Sequence, residues 1–285
     1  MTPITPETNT MTIVPVERSY PRAGLSEGRV WETLCAPYLR DLPENVRAIW
    51  QYGLTEMINN AIDHSGAETV SVYLLRQNGA TEGVVIDNGV GIFLKIQHAL
   101  ALYDPREAIF ELAKGKLTTD PETHSGEGIF FTSRVFDSFD IRSGTLHFIH
   151  SVSTKDKLME WPDEEPGTLV YMRLANDSDR TIKEVFDEFT SPDDWNFSKT
   201  IVPVRLAQYE GEKLIARSQA KRLIARFERF RTVVLDFEGV EEIGQGFADE
   251  VFRVFRLAHP GTELIPIHTQ PDVEAMIKHV LSSRA

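Results

Sequence analysis

The sequence predicts an α+β protein, an α/β sandwich followed by a small α/β domain. Three observations predict it. The chain has 285 residues, and at roughly 150 residues per domain that length suggests two domains. A long segment of helical period, two β-rich runs and a later group of strands fill the first part. From about residue 197 the pattern changes to strand, helix, strand, helix, strand, helix, the rhythm of a small sheet with helices packed against it. An apolar fraction of 41% with 26% charged residues gives ample material for a core.

Residues 1–20 hold Thr2, Thr5, Thr8, Thr10, Thr12, Pro3, Pro6 and Pro15 without sustained periodicity. They read as a flexible tail, ending in at most a short extended piece at 12–16. Ser26 can cap a helix running to about Arg40, with Val30, Trp31, Leu34 and Leu39 as its buried stripe and Cys35 as a core residue. Pro43 suits a helix start, and a longer helix follows to about His64. Its apolar residues Val46, Ile49, Trp50, Leu54, Met57, Ile58, Ala61 and Ile62 recur at helical spacing. Glu56, Asn60 and Asp63 stand four and three residues apart, so they share one face beside that stripe.

Runs at 68–76 and 82–87, joined by Asn78-Gly79, predict an antiparallel hairpin. One helical piece is expected at 99–113 inside a long, turn-rich connection, 93–125, of the kind that forms lids. A helix at 128–136 and strands at 140–142, 145–152 and 168–174 complete a first domain of residues 21–178. Asn176-Asp177-Ser178-Asp179, a helix at 182–189 and Ser191-Pro192-Asp193-Asp194 read as a linker, 179–196. The second domain, 197–285, takes strands at 200–206, 232–237 and 262–267 and helices at 214–230, 248–257 and 273–281.

Charge narrows the functional classes. Lys and Arg number 30 against 43 Asp and Glu, a net charge of −13, which argues against a chain that coats nucleic acid or an anionic membrane. A local basic patch stays open: seven basic residues lie between Lys213 and Arg231 against one acid, Glu228. It is either a solvated helix face or a surface for an acidic partner. Cys35 is the only cysteine, so no intrachain disulfide forms. No apolar run has the length of a membrane span and no secretory signal is visible, so a cytoplasmic protein is expected.

The most informative segment is Val84-Val85-Ile86-Asp87-Asn88-Gly89-Val90-Gly91-Ile92, a buried strand that delivers a carboxylate at its end and then turns on glycines. Upstream lies Glu56-Met57-Ile58-Asn59-Asn60-Ala61, and downstream His124-Ser125-Gly126-Glu127-Gly128-Ile129-Phe130. A strand, Gly167-Thr168-Leu169-Val170-Tyr171-Met172, follows. In this order the four boxes resemble the Bergerat-fold ATP-binding domain of histidine kinases, gyrase, MutL and the anti-sigma-factor serine kinases, over roughly Val46 to Leu174.

The resemblance implies ATP and Mg²⁺ as cofactors. Asp87 accepts a hydrogen bond from the adenine amine, Asn60 holds Mg²⁺, and Glu56 orients or deprotonates a nucleophile. Gly126 and Gly128 let backbone amides reach the phosphates. Asp63, Gly89, Gly91, Ile92, Ser125, Ile129 and Thr168 complete the implied nucleotide-binding set. Two departures stand out: the phosphate box is poorer in glycine, and Glu127 holds a position often apolar in the family. Glu56 matches gyrase, MutL and the anti-sigma kinases, whereas conventional histidine kinases generally have Asn there. No helical hairpin with an acceptor histidine precedes the box, so histidine autophosphorylation is not expected.

Val233-Val234-Leu235-Asp236-Phe237-Glu238-Gly239-Val240 followed by Ile243-Gly244-Gln245-Gly246-Phe247-Ala248 resembles the STAS domain, more closely its STAS-like relatives fused to ATPase domains. Regulated STAS proteins carry a phosphoacceptor serine in that turn, and Gly244-Gln245-Gly246 has no hydroxyl. His147 and His150 sit three apart in a strand, on opposite faces, and make poor joint metal ligands. His64 reads as a helix C-terminal cap, and Lys95, Lys114 and Lys116 as solvated lysines beside the lid, of which Lys114 or Lys116 could reach a phosphate. The expected function is an ATPase switch that couples nucleotide state to a protein partner or to self-association. A serine kinase and an ATP-dependent binding module without hydrolysis remain its alternatives.

Overall fold

The computed structural model describes residues 13–117, 126–190, 196–208 and 212–282. The first strand, β1 (Ile13–Pro21), runs antiparallel to β2 (Thr69–Gln77), with Tyr20 opposite Val70 and Glu17 opposite Tyr73. The tail read at 1–20 therefore reaches too far: backbone pairing along an edge orders residues whose side chains show no pattern. Residues 1–12 lie outside the described part.

Helices α1 (Glu27–Val30) and α2 (Ala36–Leu39), joined by a π-helical stretch at Trp31–Cys35, bury Val30, Cys35 and Leu39. Cys35 is wholly enclosed, and burial pushes its thiol up to about 12, the behaviour of a packing residue. Helix α3 (Glu44–His64) follows Pro43 and buries Val46, Ile49, Trp50, Leu54, Met57, Ile58 and Ala61. The hairpin of β2 and β3 (Ala80–Asp87) turns at Asn78-Gly79, both with positive φ.

Where one helix was expected at 99–113 there are two, α4 (Ile92–Leu100) and α5 (Arg106–Lys114). Ala101 adopts a left-handed conformation and Pro105 precedes α5, and together they break the run. Helix α6 (Gly128–Val135) leads into β4 (Ser138–Ser151) and β5 (Thr154–Ala175), one long antiparallel hairpin in place of three short strands. His147 meets Asp140 and His150 meets Asp156, each with its own carboxylate.

The five strands form one antiparallel sheet in the order β1-β2-β3-β5-β4. Its helix-covered face is built in rows: Leu74, Gly83, Met172 and Phe139; then Val72, Val85, Val170 and Ile141. The Trp50 indole lies so close over Gly83 that an added Cβ would come within 2.5 Å of its ring. A third row ends the pattern with Val70, Asp87 and Thr168, so one polar pair closes an apolar surface.

The segment read as a linker holds α7 (Ile182–Phe189), whose start is fixed by a capping box between Thr181 and Glu184. Its apolar face joins the core: Phe186 stacks on Phe131 at 3.8 Å between centroids, and Phe189 meets Phe130 edge-on at 5.0 Å. Residues 191–195 lie outside the described part. Beyond them β6 (Lys199–Pro203), β7 (Thr232–Asp236) and β8 (Glu263–Ile267) form a parallel sheet in that order.

Helix α8 (Arg217–Ile224) is shorter than the 214–230 expected, because Arg226 turns left-handed and the chain passes into a 3-10 turn at Phe227–Arg229. Helices α9 (Gln245–Ala248) and α10 (Arg256–Ala258), continuous through a π-helical stretch, connect β7 to β8. Helix α11 (Pro271–Ser282) ends the described chain. No helix among the described residues is long and apolar enough to cross a membrane.

Buried apolar residues form a single cluster that runs through both sheets. Phe197 is the joint: it lies 4.6 Å from Phe130 of the first part and 5.4 Å from Phe230 of the second. Replacing a buried Phe by Ala removes its transfer free energy and leaves a cavity. Phe197→Ala is expected to lower stability by about 3–5 kcal/mol, with one unfolding transition retained. Urea denaturation followed by tryptophan fluorescence and far-ultraviolet dichroism checks both points.

Candidate functional site

Helices α3, α4, α5 and α6 and strands β3 and β5 converge on one cavity of about 320 Å³, a size suited to a small organic ligand. Helix α3 contributes Glu56, Met57, Asn60, Ala61 and His64. Strands β3 and β5 contribute Val85, Asp87, Thr168 and Val170. The connection after β3 and the start of α6 add Gly91, Ile92, Lys95, Ile96, Gly126, Gly128 and Ile129. Leu112, Leu117, Phe130, Val85 and Ile96 supply apolar lining. Polar side chains share it, among them Glu56, Asn60, Asp87, Lys95 and Thr168.

Asp87 owes its position to the sheet register. It shares a face with Val85 and Gly83, so it points to the helix side at the strand end. Its side chain is 6% exposed. Burial raises its carboxyl above the ordinary value, and hydrogen bonds from Gly89 and Thr168 oppose that rise. The Gly89 amide donates to Asp87 Oδ1 at 2.9 Å. The Thr168 hydroxyl in turn accepts from the Ile92 amide at 3.0 Å, which ties the first turn of α4 to β5. Asp87 is thus a held carboxylate on the wall of this slot.

Across the slot, the Asn60 side-chain nitrogen is buried and has no hydrogen-bond partner. An orphaned buried amide costs free energy unless a ligand meets it. One turn earlier Glu56 reaches the start of α6, where a Cβ on Gly128 would fall 2.0 Å from Glu56 Oε2. Only glycine admits that approach. The carboxylate and the first residues of α6 therefore form one corner of the cavity.

Of the residues read from the sequence, Glu56, Asn60, Asp87, Gly91, Ile92, Gly126, Gly128, Ile129 and Thr168 all line this cavity. Gly89 stands behind the wall as a donor to Asp87. Asp63 is exposed and outside the wall: Ala61 and His64 of the same last turn of α3 face the cavity, and Asp63 points away from it. Ser125 lies outside the described residues, as do His124 and the rest of 118–125. Glu127 lines a separate cleft with Lys116 and Arg229 and is not among the residues of this cavity.

Three lysines depart from the sequence reading. Lys95 donates to the His64 carbonyl at 2.5 Å and caps α3, the role expected of His64 itself. It lines the cavity, and burial lowers its pKa. Its signal was the helical step from Ile92 to Ile96, which carries Lys95 along the same side. Lys114 is fully buried and bonded to Glu111 at 2.7 Å, far from a solvated lysine. Lys116 donates to the Arg229 carbonyl at 3.0 Å and lies over the Phe197 and Phe230 rings.

In the second part, Gly244 stands against Ile215, and the turn into α9 offers only Gln245 and two glycines. Comparison with known proteins bears on this part alone. The family described as a STAS-like domain of unknown function (DUF4325) matches residues 219–274, from within α8 to the first turn of α11. No curated protein matches the chain. The chain therefore joins a mixed α/β part that carries the cavity to a C-terminal STAS-like domain.

Proposed function

We propose that the chain is an Mg·ATP-binding regulatory protein of Bergerat type, an ATPase switch whose nucleotide state is passed to a partner through the STAS-like domain. The observation that carries this reading is the cavity itself. One cavity of mixed lining gathers a held carboxylate, a buried amide nitrogen without a partner and a glutamate against the glycine that opens α6. The antiparallel sheet order β1-β2-β3-β5-β4 with α3 and α6 on one face supports the same reading.

Each group has a task that its surroundings suit. Asp87 accepts from an exocyclic amine, because two donors already fix its orientation and its neighbours are apolar. Val85, Val170, Ile96 and Leu112 take the faces of a planar base. Asn60, with Glu56 a turn away, would hold a hard cation through its side-chain oxygen, while its buried, unpartnered side-chain nitrogen would donate to a phosphate oxygen. Mg²⁺ neutralises phosphate charge when bound. Glu56 then holds or deprotonates the attacking water at its carboxylate. The backbone amides at Gly126 and Gly128 face the phosphate end, where the start of α6 adds its dipole.

Hydrolysis, transfer and binding alone separate in one experiment, incubation of the purified protein with γ-labelled ATP and Mg²⁺. Free labelled phosphate supports the ATPase reading; label on an added protein serine supports a kinase; neither leaves a binding module. Glu56→Ala is expected to keep Mg·ATP binding and lose turnover. Asn60→Ala is expected to weaken only the Mg²⁺-dependent part of binding. Equal turnover in wild type and Glu56→Ala removes the glutamate from the chemistry.

Asp87→Asn separates binding from stability. A carboxyl raised in the folded state contributes most when protonated, and that contribution is lost as pH rises through the raised value. Asparagine is neutral at every pH. The variant is therefore expected to melt above wild type at pH 7 without ligand, with the gap closing as pH falls below the ordinary carboxylate range. Its added donor opposes the adenine amine and should weaken ATP binding by about 100-fold. Thermal unfolding at two pH values and calorimetry with ATP read the two effects separately.

A further inference from the structure

A buried ion cluster lies beside the cavity, where α5 meets α8. Lys114, the last residue of α5, is fully buried. Its ammonium donates to Glu111 Oε1 at 2.7 Å, to the Ala225 carbonyl at 2.9 Å and to the Arg222 carbonyl at 3.3 Å. Those carbonyls belong to the C-terminal turn of α8, which has no intrahelical donor left for them. Lys114 thus caps a helix of the STAS-like domain from outside it.

The reverse contact also exists. Arg226, just past α8, donates to Glu111 Oε2 at 2.5 Å, to the Gly115 carbonyl at 3.4 Å and to the Lys116 carbonyl. These carbonyls continue the C-terminal end of α5. The two helix ends therefore cap each other, with Glu111 shared between the two cations. Thr200 of β6 takes the Lys114 carbonyl at 2.8 Å, and Arg222 approaches Glu107 at 3.5 Å on the rim.

Backbone conformation points the same way. Arg226 and Lys116 have φ of 66° and 52°, the left-handed region where a non-glycine residue costs about 1 kcal/mol or more. Glycine would relieve both. The positions instead hold the side chains that make the cross-domain bonds. On its other side the same short segment forms the cavity: Leu112 and Leu117 line it, and the Leu117 amide donates to the Gly126 carbonyl at 3.1 Å. Glu111 and Lys116, which Arg226 contacts, are the immediate chain neighbours of the lining residues Leu112 and Leu117.

We propose that this reciprocal cap makes docking of the STAS-like domain and occupancy of the cavity one equilibrium, so that nucleotide tightens the α5–α8 joint and loosening the joint lowers nucleotide affinity. The proposal rests on the nucleotide reading above and adds the route by which the site reaches the second domain. Coupling of this kind is reciprocal by thermodynamic necessity.

The test uses the full chain with Arg226→Met, which keeps the length of the side chain and removes its charge and donors. Arg222→Met on the half-exposed rim serves as a milder variant should the first not fold. Hydrogen exchange without nucleotide is expected to speed up at 112–117 and 126–131 in Arg226→Met, on the cavity side of the joint. Mg·ATP is expected to slow exchange at 217–226 in wild type, and its affinity to fall by about 5-fold or more in Arg226→Met, the lower end of allosteric coupling. Arg222→Met should shift each readout in the same direction by less. Calorimetry without any heat of ATP binding in wild type overturns the nucleotide reading, and this coupling with it. Normal ATP binding with unchanged exchange at 217–226 and equal affinity in the variants overturns the coupling alone.

Discussion

The site depends on one register. Val70, Asp87 and Thr168 form the last row of three neighbouring strands, on the face that Val72, Val85 and Val170 fill below them. Side chains alternate along a strand, so a slip of one residue would turn Asp87 to the opposite face and bring Ile86, now 41% exposed, under the helices. The apolar rows that drive folding therefore also aim the carboxylate. Its raised pKa is a cost of that placement, accepted within a core that fixes it through Trp50, Val85 and Val170.

A second cost lies at the joint of the two parts. Lys114 and Glu111 are almost wholly removed from water, and Arg226 nearly so. Buried ion pairs seldom add net stability, since desolvation offsets their attraction, whereas breaking one leaves an uncompensated charge. The surrounding phenylalanines, Phe130, Phe131, Phe197 and Phe230, supply the cohesion. The ion cluster supplies geometry: four backbone carbonyls at two helix ends find donors only when α5 and α8 lie in this one arrangement.

Much of this was legible in the sequence because it follows simple periods. Helix α3 spans Glu44–His64 as its apolar spacing predicts, the β2–β3 hairpin turns at Asn78-Gly79, and strand and helix alternate in the C-terminal part as read. The cavity residues on α3, β3 and α6 were found from spacing and glycine pattern joined to a family resemblance. What was missed depends on partners distant in sequence. β1 is a strand because β2 offers it an edge, with Pro15 and scattered polar residues giving no alternation. Lys114 looks like any helix-end lysine until Ala225 lies over it. Lys95 and His64 are 31 residues apart, and nothing local foretells that the lysine caps the helix holding the histidine. The helix break at Ala101 carries no glycine at all.

The basic stretch from Lys213 to Arg231 shows how composition misleads without geometry. Four of its seven basic residues pair with carboxylates of the chain, Lys213 with Glu242, Arg217 with Asp249, Arg222 with Glu107 and Arg226 with Glu111, and Arg229 donates to the Lys116 carbonyl. Each pairing removes a positive charge that a nucleic-acid phosphate would need, and the surrounding field stays that of a chain with net charge −13. An anionic ligand approaching such a surface meets repulsion at long range and gains attraction only at short range. Lys95 and the start of α6 border the cavity, and Lys116, Arg229 and Arg231 line a separate cleft. A ligand that brings its own divalent cation reduces the same repulsion before contact. The acidity of the chain thus works against free anions at long range, and any site that takes one must offset that field with local donors or with a cation the ligand carries.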